Sequence, residues 1–337
     1  MLLTYEEFAE IPDRMHSFYS QAFDTLYQKH DALKSQYIRE TKTGFKRELF
    51  KRCCAAFCVT SYLEEKFVFS ESAASHFAAA ALKYLKQSED GISANVSPEC
   101  VVQDLEKCVC MLQPDGLDLT FVHRSFQEYF AAYFAANYHD PRFKSLLDRF
   151  SRRFSDTAVT MTFDMARAKT ESEWIAPTIA RYREQLAEMK TLGEKVKGFY
   201  GAADVYQSAV ANRISIHWNF KEAEFAPIYA ISRLYPDIFS GGFWFKSLSN
   251  PSSYFKPILS SKYRQEARYG EWKKFINGPK GGIIRIEIDE SGMDDWWLME
   301  LGFAEVFEKL SNGLDKIEKQ MVRREIARSN IIEDFLN

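Results

Sequence analysis

Residues 117–136, LDLTFVHRSFQEYFAAYFAA, decide how this chain reads. Leu117, Leu119 and Phe121 alternate with Asp118 and Thr120, the two-residue period of a half-buried strand. Ser125 and Glu128 follow in the S-x-x-E pattern of a capping box, in which the serine oxygen takes a first-turn N–H and the glutamate reaches back to the cap. Beyond them Phe126, Tyr129, Phe130, Tyr133 and Phe134 recur at helical spacing and set their rings on one stripe. The pattern predicts a strand handing over to a helix whose stripe, with Gln127 and Glu128 beside it, is a docking surface. His123 lies two residues before the cap. There, unpaired N–H groups and the positive end of the helix dipole favour a phosphate oxygen. On that physics alone a packed or solvated linker histidine is the plainer reading.

Working outward, the 337 residues leave room for two domains, and 46% hydrophobic with 27% charged residues is an ordinary globular balance. A net charge of -3 gives no bulk electrostatic attraction to nucleic acid. No run of 18 apolar residues predicts a membrane span, and the acidic N-terminus is not a signal peptide, so the expected compartment is the cytosol with no membrane partner. All six cysteines, Cys53, Cys54, Cys58, Cys100, Cys108 and Cys110, fall in the first third. Cys54 and Cys58 sit one helical turn apart in an apolar stretch and read as buried reduced thiols. A zinc site is the sharper alternative, but no C-x2-C or H-x3-H pair accompanies them, and no metal ligand is assigned.

The words F-[VI]-H-x-[ST]-F-Q-E-[YF]-F-A-A, matched by Phe121, His123, Ser125, Phe126, Gln127, Glu128, Tyr129, Phe130, Ala131 and Ala132, resemble a known signature. It closes the winged-helix subdomain of NACHT-type signalling NTPases of the STAND class. In that family the histidine reaches the β-phosphate of bound ADP and holds the protein closed. The resemblance implies that role for His123, with Ser125 at the helix mouth as the other cofactor-binding residue. A second match lies near the N-terminus, where Ile11, Pro12, Phe18, Tyr19, Ala22, Phe23, Leu26, His30 and Asp31 are similar to the family's small helical subdomain. The family's preceding proline, which touches the adenine, has no counterpart here.

No G-x-x-x-x-G-K-[ST] motif occurs, and GPKGG at 278–282 lacks the Ser or Thr that a phosphate loop needs. The chain is therefore expected to be no enzyme, with no catalytic residue. It would meet ADP or ATP only when joined to an NTPase core upstream or in a separate chain. The resemblance implies the C-terminal half of such a protein, beginning inside the small helical subdomain, as an internal start, a split gene or a truncation would give. The resemblance extends to bacterial proteins of anti-phage defence and implies a phage or host protein as the ligand.

The expected fold class is mainly α: a winged-helix subdomain with a short β-hairpin, then a helical C-terminal domain. Residues 1–43 are read as the end of the small helical subdomain, with a helix from about Asp13, and 44–136 as the winged helix. Within it, a helix near 45–63 turns Phe50, Cys54, Phe57, Cys58 and Tyr62 inward. A strand at Phe67, Val68 and Phe69 follows, then an alanine-rich helix capped by Ser70 or Ser72. A helix near 97–108 starts at Ser97-Pro98-Glu99, and CVCML and LDLTF flank a QPDG turn. Residues 137–337 are read as a helical sensor or scaffold domain with one short strand near 283–289. FKSLLDRFSRRFSD opens it as an amphipathic helix with Phe143, Leu146, Leu147, Phe150 and Phe154 inward, and 213–245 reads as short helices with breaks.

A winged helix also suggests a stand-alone DNA-binding regulator. The helix that would read bases carries Asp104 and Glu106 against Lys107, so phosphate would repel it and nucleic acid is not the expected partner. The acidic residues Glu287, Asp289, Glu290, Asp294 and Asp295 raise a metal-dependent enzyme as a third reading, with a solvated strand edge as the plainer one.

Overall fold

The computed structural model describes residues 14–32, 41–88, 92, 95–139, 141–153, 155–195, 203–208, 213–218, 226–239, 283–284 and 303–336. The chain divides into two units, one of Met1–Phe150 with Ser155–Thr170 and the other of Ser151–Phe154 with Glu171–Asn337. Among the described residues it is mainly helical, with two small antiparallel sheets.

The first unit opens with α1, Met15–Ala32, and α2, Arg47–Leu63. Helix α2 is the middle of the core. Phe50, Cys54, Phe57, Cys58 and Tyr62 are all buried, as their spacing predicts, and so is Cys53. Then come β1 (Val68–Ser70), α3 (Glu71–Ser88), α4 (Pro98–Lys107), β2 (Leu112–Asp115), β3 (Asp118–Phe121) and α5 (Arg124–Ala136). The Ala73 N–H donates to Ser70 Oγ at 3.3 Å, so Ser70 is the residue that caps α3. Pro98 occupies the first turn of α4, where its missing N–H costs no helical bond. β3 lies between β1 and β2. Phe69 and Phe121 meet edge to face with their rings 5.7 Å apart, beside Phe57, which is 5.6 Å from Phe69, and these three bind the sheet to α2.

The hairpin differs in detail from the QPDG expectation. Gln113, Pro114 and Asp115 belong to β2, Asp115 pairs with Asp118, and Gly116 and Leu117 make the bend. Gly116 takes φ +65°, a left-handed conformation in which a Cβ is strained. Leu117, expected to face the core, is fully exposed because it sits at the tip of that bend. Most of CVCML is not strand either. Cys110 takes φ +49°, and buried Val109 and Met111 plug the core beside it before β2 begins.

Asp104, expected on the solvent face of α4, is instead buried. Its carboxylate accepts the N–H groups of Lys42 (2.8 Å) and Thr43 (2.9 Å) and the Thr43 hydroxyl (2.7 Å), which fixes the chain entering α2. The first unit closes with α6 (Phe143–Ser151), α7 (Ala158–Met165) and α8 (Arg167–Thr170). Phe143, Leu146, Leu147 and Phe150 are buried as predicted, and Phe154 lies outside the described residues.

In the second unit a π-type turn, Glu171–Ile175, runs into α9, Ala176–Glu188, with Pro177 in the first turn of α9. The π turn leaves room for a proline that would otherwise break a regular α ladder. β4 (Ala203–Ser208) and β5 (Arg213–Trp218) pair along their full length, and α10 (Ala226–Leu234), β6 (Ile283–Ile284) and α11 (Phe303–Leu336) follow. The expectation of short helices from residue 213 is corrected by β5, and one short strand becomes a three-stranded sheet in the order β5-β4-β6. Near its start α11 buries Phe307, Leu310, Leu314 and Ile317, whereas Val322, Ile326 and Ile331 are exposed. The N-terminal Ile11 and Pro12, GPKGG at 278–282 and the carboxylates from Glu287 to Asp295 all lie outside the described residues.

Candidate functional site: the mouth of helix α5

The mouth of α5 forms where β3 runs out. The Val122 N–H is held by the Met111 carbonyl at 3.0 Å, and His123 then takes an extended backbone (φ -139°, ψ 121°) as the N-cap of α5. The Phe126 N–H bonds the His123 carbonyl at 3.0 Å, while the imidazole makes no capping bond and is exposed. First-turn N–H groups are thus left without a capping side chain. Phe67, Val68 and Val122, brought near one another by the β1–β3 pairing, are exposed on this part of the surface.

Ser125, read as the cap, is the second residue of the helix and half-buried. The capping box does not form, because Glu128 has a better partner than its own helix end. Its carboxylate accepts the Thr157 N–H at 2.8 Å and the Thr157 hydroxyl at 2.6 Å, so it caps the start of α7 instead. The residue between His123 and Ser125 matters more than the sequence suggested. One terminal nitrogen of Arg124 donates to both oxygens of Asp156 at 2.9 Å, and its guanidinium lies 5.2 Å from the Phe67 ring centroid. Asp156 also accepts from the Tyr62 hydroxyl at 3.1 Å and from Ser155 Oγ at 3.2 Å. Arg124, Asp156 and Thr157 were not singled out from sequence, and Tyr62 was read only as an inward core residue. The one available signal was the D-T pair before the apolar run AVTMTF, which has the form of a helix start.

The stripe expected to be a docking surface does dock, but onto this chain's own helices. Phe126, Gln127, Glu128, Tyr129 and Phe130 are buried and Tyr133 is half-buried. Tyr19 and Phe23 of α1 meet Phe126 and Phe130 at ring distances of 5.3 and 5.2 Å, both edge to face. The Gln127 amide donates to Ser61 Oγ (2.9 Å) and to the Lys66 carbonyl (2.7 Å). Tyr133 carries the Lys51 ammonium over its ring at 4.9 Å, and that ammonium donates to Ser20 Oγ at 2.9 Å. Burial pulls the Lys51 pKa down against the opposing pull of Asp24 and Glu48, and burial likewise pushes the Tyr129 hydroxyl up. Five large rings on one helix stripe reach too much apolar surface to be left in water, so the adjoining helices cover them.

The cysteines are free thiols. Burial pushes Cys53 up to about 12 and raises Cys54 and Cys58 well above the ordinary thiol value, while Cys110 is exposed. Among the described residues no group of three or more His, Cys, Asp or Glu side chains is placed to hold a metal ion. Among the same residues no helix is long and apolar enough to cross a membrane. In comparisons with known proteins, no family model, no curated protein and no solved structure matches the chain.

Proposed function

We propose that this chain is the regulatory and sensing portion of a NACHT-type STAND NTPase, with residues 44–136 as its winged helix and no catalysis of its own. The observation that carries the reading is His123: an exposed imidazole as the N-cap of a 13-residue helix, at the exit of a hairpin strand, with no capping bond. A β-phosphate at that mouth would meet one imidazole N–H and the first-turn amides together. The order helix, strand, helix, helix, hairpin from α2 to β3 supports the winged-helix assignment. In the closed state ADP bound in a neighbouring NTPase core is gripped by His123. A phage or host protein bound by the C-terminal region then releases it by favouring the open state.

The test joins the chain to its NTPase core. His123→Ala removes one charged hydrogen bond, about 1.5–3 kcal/mol, so ADP should leave roughly 10- to 100-fold faster and basal signalling should rise. Unchanged ADP retention removes His123 from the switch. For DNA binding, the burial of Asp104 weakens the repulsion argument, yet the exposed residues of α4 are Glu99, Gln103 and Lys107 and form no basic stripe. A low-salt gel shift with random duplex is expected to show no salt-sensitive complex.

A further inference from the structure

We infer that Asp156 is a positioning residue for His123: the turn at residues 155–157 is a releasable latch that sets the mouth of α5. The inference rests on the reading of His123 as a nucleotide contact. Two pairings, each of two hydrogen bonds, reach across from that turn to the start of α5. One is Asp156 to Arg124, the residue next to His123, and the other is Thr157 to Glu128 one helical turn further on. Together they fix the direction in which the helix mouth, and so the imidazole, presents itself.

The two partners in the ion pair differ in a way that suits release. The Asp156 side chain is 4% exposed and the Arg124 side chain 46%. When the pair opens, Arg124 returns to water that already wets half of it, while the acid keeps the Tyr62 and Ser155 hydroxyls. Opening therefore leaves no buried charge without a hydrogen bond, the usual cost of breaking such a pair.

The test is amide exchange on the whole chain, read peptide by peptide, together with the His123 ring resonance identified by its loss in His123→Ala. In Asp156→Asn the peptide spanning 122–128 is expected to exchange about tenfold faster and the His123 signal to move, with the segments 50–62 and 101–107 unchanged. A uniform rise across the first unit would reduce Asp156 to a structural support, and no change at 122–128 would end the proposal. Should Asp156→Asn fold poorly, Arg124→Gln opens the same pair from its wetter side and must give the same local pattern. A local rise with a shifted His123 signal sustains the latch even if His123→Ala leaves ADP retention unaltered, in which case only the nucleotide reading falls.

Discussion

Two regions of the first unit are each tied down by a buried aspartate, and they are tied differently. At the loop entering α2, Asp104 takes two backbone N–H groups and a hydroxyl, with the Cys108 thiol donating to it at 3.3 Å. At the turn entering α7, Asp156 takes a half-exposed guanidinium and two hydroxyls. The first arrangement rests on main-chain donors, which part from the acid only if the backbone moves. The second has a side-chain donor that can leave for water. Burial and hydrogen-bond satisfaction are alike in both, so what separates a fixed joint from a movable one is whether a donor keeps a route back to solvent.

The largest effect that sharpens this contrast is Asp104→Ala. It orphans the Lys42 and Thr43 amides and should cost about 3 kcal/mol in urea unfolding. Asp156→Ala should cost less, about 2 kcal/mol, since Arg124 recovers its hydration and the bonds lost besides are those from the Tyr62 and Ser155 hydroxyls. Equal losses would break the contrast. Tyr62→Phe removes one neutral donor and should lower stability by about 1 kcal/mol while leaving Arg124 paired. Thiol labelling compares the same two surroundings from another side: at pH 8 Cys110 should react first, and Cys53, Cys54 and Cys58 only as the unit unfolds, followed by mass shift.

The smallest effect is a pH slope from His16 on α1, whose pKa burial pulls below 6.5 despite the opposing charge of Asp164. Between the lowered value and 6.5 the unfolded chain binds more protons than the folded one. Stability therefore rises as pH increases through that window and is lost as pH falls through it. His16→Gln should flatten that part of the profile in pH-dependent thermal unfolding.

The local half of the architecture was legible because it rests on side-chain period. The helix of Arg47–Leu63, the Ser70 cap, Pro98 in its first turn and the strand into α5 all follow from residues within a few positions of one another. The failures involve partners far along the chain. Glu128 looked like half of a capping box until Thr157 claimed it, and Asp104 looked like surface charge until Thr43 did. Neither pairing leaves a local trace. The strand β5 is a different case, since Ile214, Ile216 and Trp218 alternate with Arg213, Ser215 and His217, a period-two signal that was there to be read. At the mouth of α5, His123 stood out in the sequence through the resemblance of its words, while Arg124 fell on the one position those words leave open.

The five residues from Glu171 to Ile175 carry a last consequence. A π turn is one residue more than an α-helix needs, and each residue advances a helix by about 100°. Excising a single residue there would close the widened turn to an ordinary one, and the flanking turns would keep their faces, because the widening is what absorbs the extra residue. Buried Ile179 and Tyr182 would stay inward, whereas Pro177 would lose the slack that accommodates its ring. The surplus residue is thus a local spacer for the proline, and its deletion should be tolerated better when paired with Pro177→Ala than alone.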